Sequence, residues 1–364
     1  MKIKFITKLD EIKELTEQER FKLKEVVKTF LFYTNEYYLS LIDWNNPADP
    51  IKQVIIPHPG ELEEHGSLDP SNEKDYTIFP GLQHKYRTTA VFLISNNCFG
   101  FCRYCFRKRI FKKEHIEILQ DLSEALNYVK NHKEITNILL TGGDALALST
   151  SKLENIIKQL RKIEHIQIIR LGTRALSYYP HRVINDPSLL EILKKYSTDG
   201  KKIYVMTHFV HPKEITPLAI EAINQLLKAG VILTNQAPLL NGINDDPEIL
   251  AELFRKLSFI GVPPYYIFQC RPAVGNKPYT VPLEKGYEIF EQAKAKVSGL
   301  AKRARFVMSH ASGKIEIVGK TKEHVYFKYL QAANDADYGR FLVFKRNPNA
   351  YWFDHYNEMV AAHP

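Results

Sequence analysis

The sequence has only 4 cysteines in 364 residues. It also has no apolar run near the roughly 20 residues that a membrane-spanning helix needs. So few cysteines argue against a disulfide framework. The first five residues, Met1-Lys2-Ile3-Lys4-Phe5, carry charge before a secretory core could form. We therefore expect a cytoplasmic protein that has no membrane partner.

The sequence lacks a basic block, although Lys and Arg outnumber Asp and Glu by 50 to 41, a formal net charge of +9. The cations are scattered along the chain, without the arginine-rich tail or interleaved aromatics typical of nucleic-acid binders. We predict a solvated basic surface that attracts an anionic substrate, and no nucleic-acid partner.

Short apolar runs alternate with stretches of helical period, and 45% hydrophobic residues are enough for a packed core. Parallel strands need such crossovers, so the pattern predicts an α/β fold with a parallel sheet. Six units predict an open, partial (β/α)6 barrel, since a full barrel needs two more. The predicted strands are 91–94, 137–141, 166–172, 202–207, 231–236 and 264–269, and the helical stretches are 117–130, 151–162, 213–229, 247–259 and 283–297.

The flanks differ from the barrel in pattern. Residues 9–45 have helical spacing and predict an N-terminal helical cap. Aromatic residues in 331–364 predict a packing or subunit-contact surface, in keeping with a homo-oligomer. The predicted regions are an N-terminal helical region (1–50), a connecting segment (51–88), the barrel (89–300) and a C-terminal extension (301–364) with strand-like runs at 304–308, 315–318 and 323–328.

Three cysteines follow the first predicted barrel strand at C-x₃-C-x₂-C spacing: Cys98, Cys102 and Cys105. Three thiolates so spaced bind three irons of a [4Fe–4S] cubane and leave the fourth iron open. A zinc site would need a fourth ligand, and no fourth Cys or His lies at suitable spacing nearby. Zinc and unliganded core cysteines remain as alternatives. Active sites of such barrels gather on the loops after the strands, where these cysteines lie.

The second predicted strand ends in Thr141-Gly142-Gly143-Asp144. Glycines let the backbone approach a ligand, and the acid could hold ribose hydroxyls. Alone, such a sequence is more often an ordinary turn.

The cysteine loop, with Tyr104 before its last Cys, resembles the radical S-adenosylmethionine (SAM) signature. Over roughly residues 55 to 320 the chain further resembles the lysine 2,3-aminomutase family, radical SAM enzymes that use pyridoxal phosphate (PLP). The segments that carry this resemblance are His84-Lys85-Tyr86, the cysteine loop with Arg107, residues 141–144, Gly172-Thr173-Arg174, residues 207–212, Thr234-Asn235-Gln236, residues 242–245, and Tyr266-Ile267-Phe268-Gln269-Cys270.

The resemblance implies a role for several residues. Lys314, after Ser312-Gly313, matches the lysine that holds PLP, although the family has a longer glycine run there. Lys85 and Tyr86 fall where the family contacts PLP, although Arg87-Thr88-Thr89 departs from its Pro-Asp-Arg pattern. The implied SAM-binding residues are Tyr104, Gly142, Gly143, Asp144, Arg174, His208 and Gln236.

The implied reaction moves an amino group from C2 to C3 of an amino acid. A cellular reductant such as flavodoxin or ferredoxin reduces the cluster, SAM is split to give a 5′-deoxyadenosyl radical, and that radical removes hydrogen from the β-carbon of the PLP-bound substrate. One alternative is a different radical SAM reaction without PLP, on a peptide or small metabolite. Another is a non-enzymatic basic binding module with a structural metal.

The predicted substrate departs from lysine. In the family, Arg107 would pair with the substrate α-carboxylate. Lysine-specific members bind the distant ammonium with two aspartates, and those positions here are Arg271 and Ser309. Two cations together in a dry pocket cost several kcal/mol, so we predict glutamate, aspartate or a neutral relative such as glutamine. Glutamate 2,3-aminomutases also lack the acidic pair. The alternatives are that Arg271 pairs with a protein acid, and that the enzyme isomerises lysine, including lysine destined for elongation factor P.

Overall fold

One large sheet organises the fold. The computed structural model describes residues 3–111 and 117–363. Its strands are β1 (Phe5–Ile6), β2 (Thr34–Asn35), β3 (Thr77–Phe79), β4 (Leu82–Tyr86), β5 (Thr89–Ser95), β6 (Asn137–Gly142), β7 (Ile168–Gly172), β8 (Ile203–Thr207), β9 (Ile232–Leu239), β10 (Pro264–Gln269), β11 (Arg305–His310), β12 (Gly313–Lys320), β13 (His324–Ala332), β14 (Phe341–Lys345) and β15 (Met359–His363). Strands β1 and β2 pair with each other, and β3 to β15 lie side by side in chain order.

Helices cover one face of this sheet. They are α1 (Glu17–Thr29), α2 (Glu36–Leu39), α3 (Pro50–Ile55), α4 (Leu122–Asn131), α5 (Thr150–Arg161), α6 (Ala175–Tyr178), α7 (His181–Ile184), α8 (Pro187–Tyr196), α9 (Pro217–Lys228), α10 (Pro247–Phe259) and α11 (Leu283–Ala295). Buried leucines and isoleucines at helical spacing, such as Leu153, Ile157 and Leu160 on α5, pack into the core. Among the described residues, no helix is both long and apolar enough to cross a membrane.

Strands β5 to β11 form the parallel part of the sheet, with helices in each crossover. The predicted open (β/α)6 barrel is therefore confirmed, since β5 to β10 are each followed by helical crossovers, and one further parallel strand, β11, follows these six units. The run 304–308, assigned to the C-terminal addition, is part of β11 and lies parallel to β10. Helix α11 returns the chain to the edge of the sheet at which the parallel strands begin. The next strand, β11, therefore runs in the same direction as β10.

The two faces of the parallel strands differ in exposure. On β6 and β7, Ile138, Leu140, Ile169 and Leu171 are fully buried beneath the helices. The residues that alternate with them, such as Arg170, are partly exposed. These partly exposed side chains form an inner face that lines the lumen of the open barrel.

The predicted N-terminal helical cap is confirmed, but its helices are separated. Helix α1 begins at a capping box, and the chain is extended again before α2. The box pairs Thr16 with Glu19 reciprocally, with the Glu19 N–H donating to Thr16 Oγ1 at 3.2 Å. The segment 51–88 is also more than a connection, since it contains α3 and the antiparallel strands β3 and β4, which extend the sheet beyond β5.

The C-terminal extension is strand-rich, as predicted. Strands β12 to β15 form an antiparallel meander that continues the sheet from β11. Aromatic rings of this region pack on one another, as Phe327 does against Phe344, Phe353 and Tyr356. Trp352 and Tyr356 are buried, which confirms a packing role for these aromatics.

Candidate active site

The three cysteines lie on the loop that follows β5. Cys98, Cys102 and Cys105 are partly exposed, and the Cys105 N–H donates to the Cys102 carbonyl at 3.0 Å. Burial raises the pKa of Cys98 and brings that of Cys105 to about 11, and the neighbouring thiols add to both shifts. The three sulfurs are therefore close enough to interact through their charges, as ligands of one cluster must be.

A buried ion pair between Arg103 and Glu61 anchors the cysteine loop to the segment that precedes β3. Arg103 donates from Nε and Nη2 to the two carboxylate oxygens of Glu61, at 2.9 and 2.7 Å. Their side chains are 1% and 0% exposed. Arg103 also donates to the Leu31 carbonyl at 2.9 Å, so the N-terminal region and the loop form one unit. Cys98 borders a cavity of about 1030 Å³ that is lined mainly by the N-terminal region and the cysteine loop.

The Gly-Gly-Asp turn packs directly on the cysteine loop. Gly142 has a φ of +113°, and a Cβ on it would lie 2.4 Å from the Ser95 carbonyl oxygen. A Cβ on Gly143 would lie 2.3 Å from the Asn97 carbonyl oxygen. Only glycine allows this approach.

Asp144 is turned inward and does not point to solvent. Its carboxylate accepts hydrogen bonds from Thr173 Oγ1 at 2.7 Å, from the Arg174 N–H at 2.6 Å and from the Leu146 N–H at 2.8 Å. Burial nevertheless raises its pKa. Asp144 thus ties the end of β6 to the turn after β7, beside the cysteine loop.

Arg174 links the ends of three strands. Its Nη1 donates to Cys102 Sγ at 2.9 Å and to Tyr104 Oη, and its Nη2 donates to Glu214 at 2.5 Å. His208 follows β8, and its Nε2 lies 3.1 Å from Tyr104 Oη. Burial and the charge of Arg174 lower the pKa of His208 well below its ordinary value.

Gln236 lies on β9 and is the fourth predicted SAM residue at a strand. Its side chain is partly exposed on the inner face, while its neighbours Asn235 and Ala237 are buried. No hydrogen bond joins Gln236 to the cysteine loop within the described part of the chain. Asp144, Arg174 and His208 thus lie beside the cysteine loop, with Arg174 in contact with Cys102, whereas Gln236 only faces the same lumen.

The thiols suit an iron–sulfur cluster. Within the described residues, no three His, Cys, Asp or Glu side chains converge as ligands of one metal ion. Each thiolate of a cubane binds a different iron, so such convergence is not needed there. The cysteine loop and the turns after β6, β7 and β8 therefore suit a [4Fe–4S] cluster and SAM.

Lys314 lies on β12, directly opposite Ser309 of β11, so the two side chains share one face of the sheet. Its Nζ lies 4.2 Å from the ring centre of Tyr266 and 5.7 Å from that of Phe268. Burial and three cations, Arg170, Arg271 and Lys85, lower the pKa of Lys314 to about 7. An amine with such a pKa is partly neutral at neutral pH and can act as a nucleophile.

Lys85 and Tyr86 lie on β4, near the hairpin that carries Lys314. The Lys85 Nζ donates to the His310 carbonyl at 2.5 Å and lies 4.9 Å from the Tyr76 ring centre. Burial and Arg271 lower the pKa of Lys85 to about 8. Tyr86 is close enough to Arg271 to interact with its charge.

Arg107 is paired within the protein. Its Nε donates to Glu73 Oε1 at 3.1 Å, and its Nη2 donates to the same oxygen at 2.6 Å. Glu73 also accepts from Arg109 Nη2 at 2.5 Å. Burial favours protonation of Glu73, but Arg107 and Arg109 overcome it and hold the pKa well below its ordinary value.

Arg271 contacts the cysteine loop, and its charge also acts on Lys314. Its guanidinium carbon lies 3.5 Å from the ring centre of Phe106, the residue after Cys105. Its Nη1 is buried and has no hydrogen-bond partner among the described residues. Burial lowers the pKa of Arg271 to about 10. The predicted alternative, a direct pair with a protein acid, is not found in the described part of the chain, although Glu73 is near.

These residues form a cationic cluster, which we define as Lys85, Arg107, Arg109, Arg271 and Lys314.

Sequence reasoning missed Arg109, Glu73, Arg170, Glu61 and Glu214. They lie far along the chain from their partners, and no local motif marks them. Charged residues spaced like these are usually solvated, so only the tertiary structure identifies them.

Comparisons with known proteins agree with this arrangement. Residues 92–254 match the Radical SAM superfamily model. A protein of Aquifex aeolicus named "Putative L-lysine 2,3-aminomutase" is 52% identical over 99% of this chain and 96% of its own length. The L-lysine 2,3-aminomutase of Clostridium subterminale is 37% identical over 82% of this chain and 71% of its own. The glutamate 2,3-aminomutase of Clostridioides difficile is 40% identical over 80% of this chain and 68% of its own.

The matched region contains the cysteine loop and the turns that surround it. Radical SAM enzymes use a [4Fe–4S] cluster and SAM, and the thiols and strand ends described above suit both. On these grounds the chain belongs to the lysine 2,3-aminomutase family of radical SAM enzymes.

Proposed function

We propose that this protein is a PLP-dependent 2,3-aminomutase whose substrate is an amino acid with an acidic or neutral polar side chain, glutamate-like and not lysine. Lys314 carries the proposal. Its amine lies among cations with its pKa lowered to about 7. A lysine in this environment is suited to bond covalently to an aldehyde such as that of PLP.

In this proposal, the residues around the cysteine loop would bind the cluster and SAM, and the residues around Lys314 would bind PLP and the substrate. When bound, the cluster and SAM would supply a radical that removes hydrogen from the substrate, and PLP would carry the amino group as it moves. Arg107 would bind the α-carboxylate, and Lys85 and Tyr86 would flank PLP. Cys98, Cys102 and Cys105 would hold the cluster, and the residues near SAM would be Tyr104, Gly142, Gly143, Asp144, Arg174, His208 and Gln236.

The charges support an acidic substrate. Glu73 balances Arg107 and Arg109, but Arg271 and Lys85 have no carboxylate in hydrogen-bond contact within the described residues. A lysine substrate would add one more cation, which costs several kcal/mol in a buried site. A substrate carboxylate would instead give the buried Nη1 of Arg271 a charge-assisted partner.

PLP dependence is tested by absorbance and by anaerobic assay. Lys314→Ala should lose the absorbance of lysine-bound PLP and all turnover, while Lys302→Ala, a change in the loop before β11, should keep both. The assay uses SAM, a flavodoxin or ferredoxin as reductant, and each amino acid in turn. Undiminished turnover without PLP, or by Lys314→Ala, contradicts the proposal.

Substrate choice is tested on the same panel. Wild-type protein should convert glutamate, aspartate or glutamine to a β-amino acid faster than lysine. Arg271→Gln should lower kcat/KM for an acidic substrate by about 100-fold or more, as expected when a buried charged partner is lost. Arg305→Gln, which changes an exposed arginine at the start of β11, is the matched control. Turnover of lysine at an equal rate contradicts the predicted specificity.

A further inference from the structure

Arg170 is a partly exposed cation on the inner face of the sheet, and the proposed function leaves it without a role. It lies in the middle of β7, between Leu139 of β6 and Tyr204 of β8, with its side chain on the inner face. Its Nε donates to Asn137 Oδ1 at 2.8 Å. Among the described residues, Nη1 and Nη2 have neither an ion pair nor a hydrogen bond. Two donors of a charged group thus face the lumen without a partner.

The position of Arg170 faces Lys314 across the lumen. In a flat sheet, β7 and β10 would be about 14 Å apart, three strand spacings. The charge of Arg170 nevertheless acts on Tyr266 of β10, the ring on which Lys314 rests. It also acts on Lys314 itself, where after burial it is the first of three cations that lower the pKa. The sheet is therefore curled, and Arg170 and Lys314 approach one space from opposite walls.

Arg170 and Arg271 occupy different depths of this space. Arg170 lies two residues before the end of β7, and Arg271 lies two residues after the end of β10. Arg174, four residues further along the chain than Arg170, donates to Cys102 Sγ, and Arg271 contacts Phe106 of the cysteine loop. Arg271 is thus beside the cysteine loop, where the substrate must meet the radical, while Arg170 is deeper.

A guanidinium that has no ion-pair partner among the described residues and faces the lumen is suited to bind an anion. Burial already lowers the pKa of Arg170, so its charge is incompletely solvated. A phosphate group offers two or three oxygens that match the planar fork of a guanidinium. PLP carries such a group on the ring carbon next to the one that bears the aldehyde, so the phosphate of lysine-bound PLP lies close to that lysine.

We propose that Arg170 binds the phosphate group of PLP when the aldehyde of the cofactor is bonded to Lys314. The inference rests on the proposed function and adds a residue that the family resemblance did not supply. It also explains how the chain can lack the Pro-Asp-Arg pattern after Tyr86, where residues 87–89 are Arg-Thr-Thr. Arg170 reaches the lumen from the neighbouring part of the sheet, since Asn137, its hydrogen-bond partner, is paired with Thr89.

The test compares PLP with pyridoxal, which has the aldehyde but no phosphate. Full-length protein is stripped of PLP and titrated with each compound, and binding is followed by absorbance. Wild-type protein should bind PLP far more tightly than pyridoxal. Arg170→Gln should weaken PLP binding roughly 10-fold to 100-fold, the range for a hydrogen bond to a charged group, while pyridoxal affinity changes less than about 2-fold. Arg170→Lys should lie between, and Arg305→Gln should match wild type.

The outcomes separate the inference from the proposed function. Equal losses for PLP and pyridoxal, or no loss for PLP, overturn the role of Arg170. An unchanged PLP affinity with a raised KM for the amino acid also overturns it, because Arg170 would then serve the substrate. Failure of Lys314→Ala to abolish the absorbance of bound PLP counts against the proposed function instead. Circular dichroism and thermal unfolding verify that each variant is folded.

Discussion

Glu73 binds Arg107 along one edge of the guanidinium, with Oε1 3.1 Å from Nε and 2.6 Å from Nη2. The other edge, which contains Nη1, has no hydrogen bond to a described residue. Glu73 therefore fixes the plane of the guanidinium and leaves one fork of donors for a carboxylate. If Arg107 binds the substrate, Glu73 is its positioning residue.

Glu73→Gln should therefore impair binding more than chemistry. The amide keeps the shape but loses the charge that holds Arg107 and Arg109, so we expect KM to rise about 10-fold, roughly 1.4 kcal/mol, with a smaller change in kcat. Steady-state kinetics at constant pH measures this. Glu252→Gln, which breaks only an exposed i,i+4 pair with Lys256, should leave both constants unchanged. A fall in kcat alone would speak against positioning.

Cys98, Cys102 and Cys105 should be required for binding the iron–sulfur cluster, whereas Cys270 should not. Alanine at Cys98, Cys102 or Cys105 should abolish stable iron and sulfide incorporation after anaerobic reconstitution, since a cubane needs all three thiolates. Cys270→Ala is the matched control, because this buried cysteine lies after β10, near Asn276. Iron and sulfide analysis, with electron paramagnetic resonance of the reduced protein, measures the result. Full iron content in Cys102→Ala would rule out the predicted ligand set.

The buried pair of Arg103 and Glu61 should make a large contribution to stability. Glu61→Ala leaves a buried guanidinium unpaired, which costs about 3 to 5 kcal/mol of the free energy of unfolding. Denaturant unfolding measures this, and iron incorporation should fall with it because the cysteine loop loses its anchor. Glu154→Ala removes an exposed partner of Lys195 and should cost less than about 1 kcal/mol. Similar losses in both variants would contradict the role of burial.

The pH dependence of PLP loading should report the pKa of Lys314. Only the neutral amine attacks an aldehyde, so the loading rate should rise with pH, pass its midpoint near 7 and level off above it. Arg271→Gln removes one of the cations that lower this pKa, so the midpoint should move to higher pH. Stopped-flow absorbance of stripped protein mixed with PLP provides the measurement. A midpoint near the ordinary lysine value of about 10.4 would contradict this environment.

The sequence predicted the features that are encoded by neighbouring residues. The cysteine loop and the Gly-Gly-Asp turn are contiguous motifs, and each lies at a strand end as expected. The alternation of strands and helices predicted the open barrel. The run 304–308 was predicted as a strand, but not as a parallel one. It is as short and apolar as the antiparallel strands after it, and its direction depends on α11.

Contacts between distant residues could not be predicted in this way. Glu73 and Arg107 are 34 residues apart, and Glu61 and Arg103 are 42 apart. A charged residue is usually exposed, and only the packing of the segment 51–88 against the cysteine loop buries Glu61 with Arg103 and leaves Glu73 and Arg107 little exposed. The surroundings of Arg170 could not be predicted either, because they depend on the curl of the sheet.

Lys314 lies where the parallel part of the sheet meets the antiparallel meander. Its strand is paired with β11 on one side and with β13 on the other. A chain cut after Lys320 would turn β12 into an unprotected edge, with backbone donors and acceptors open to solvent and to other chains. The meander therefore does more than enlarge the core, because it keeps the lysine on an internal strand whose backbone is held from both sides.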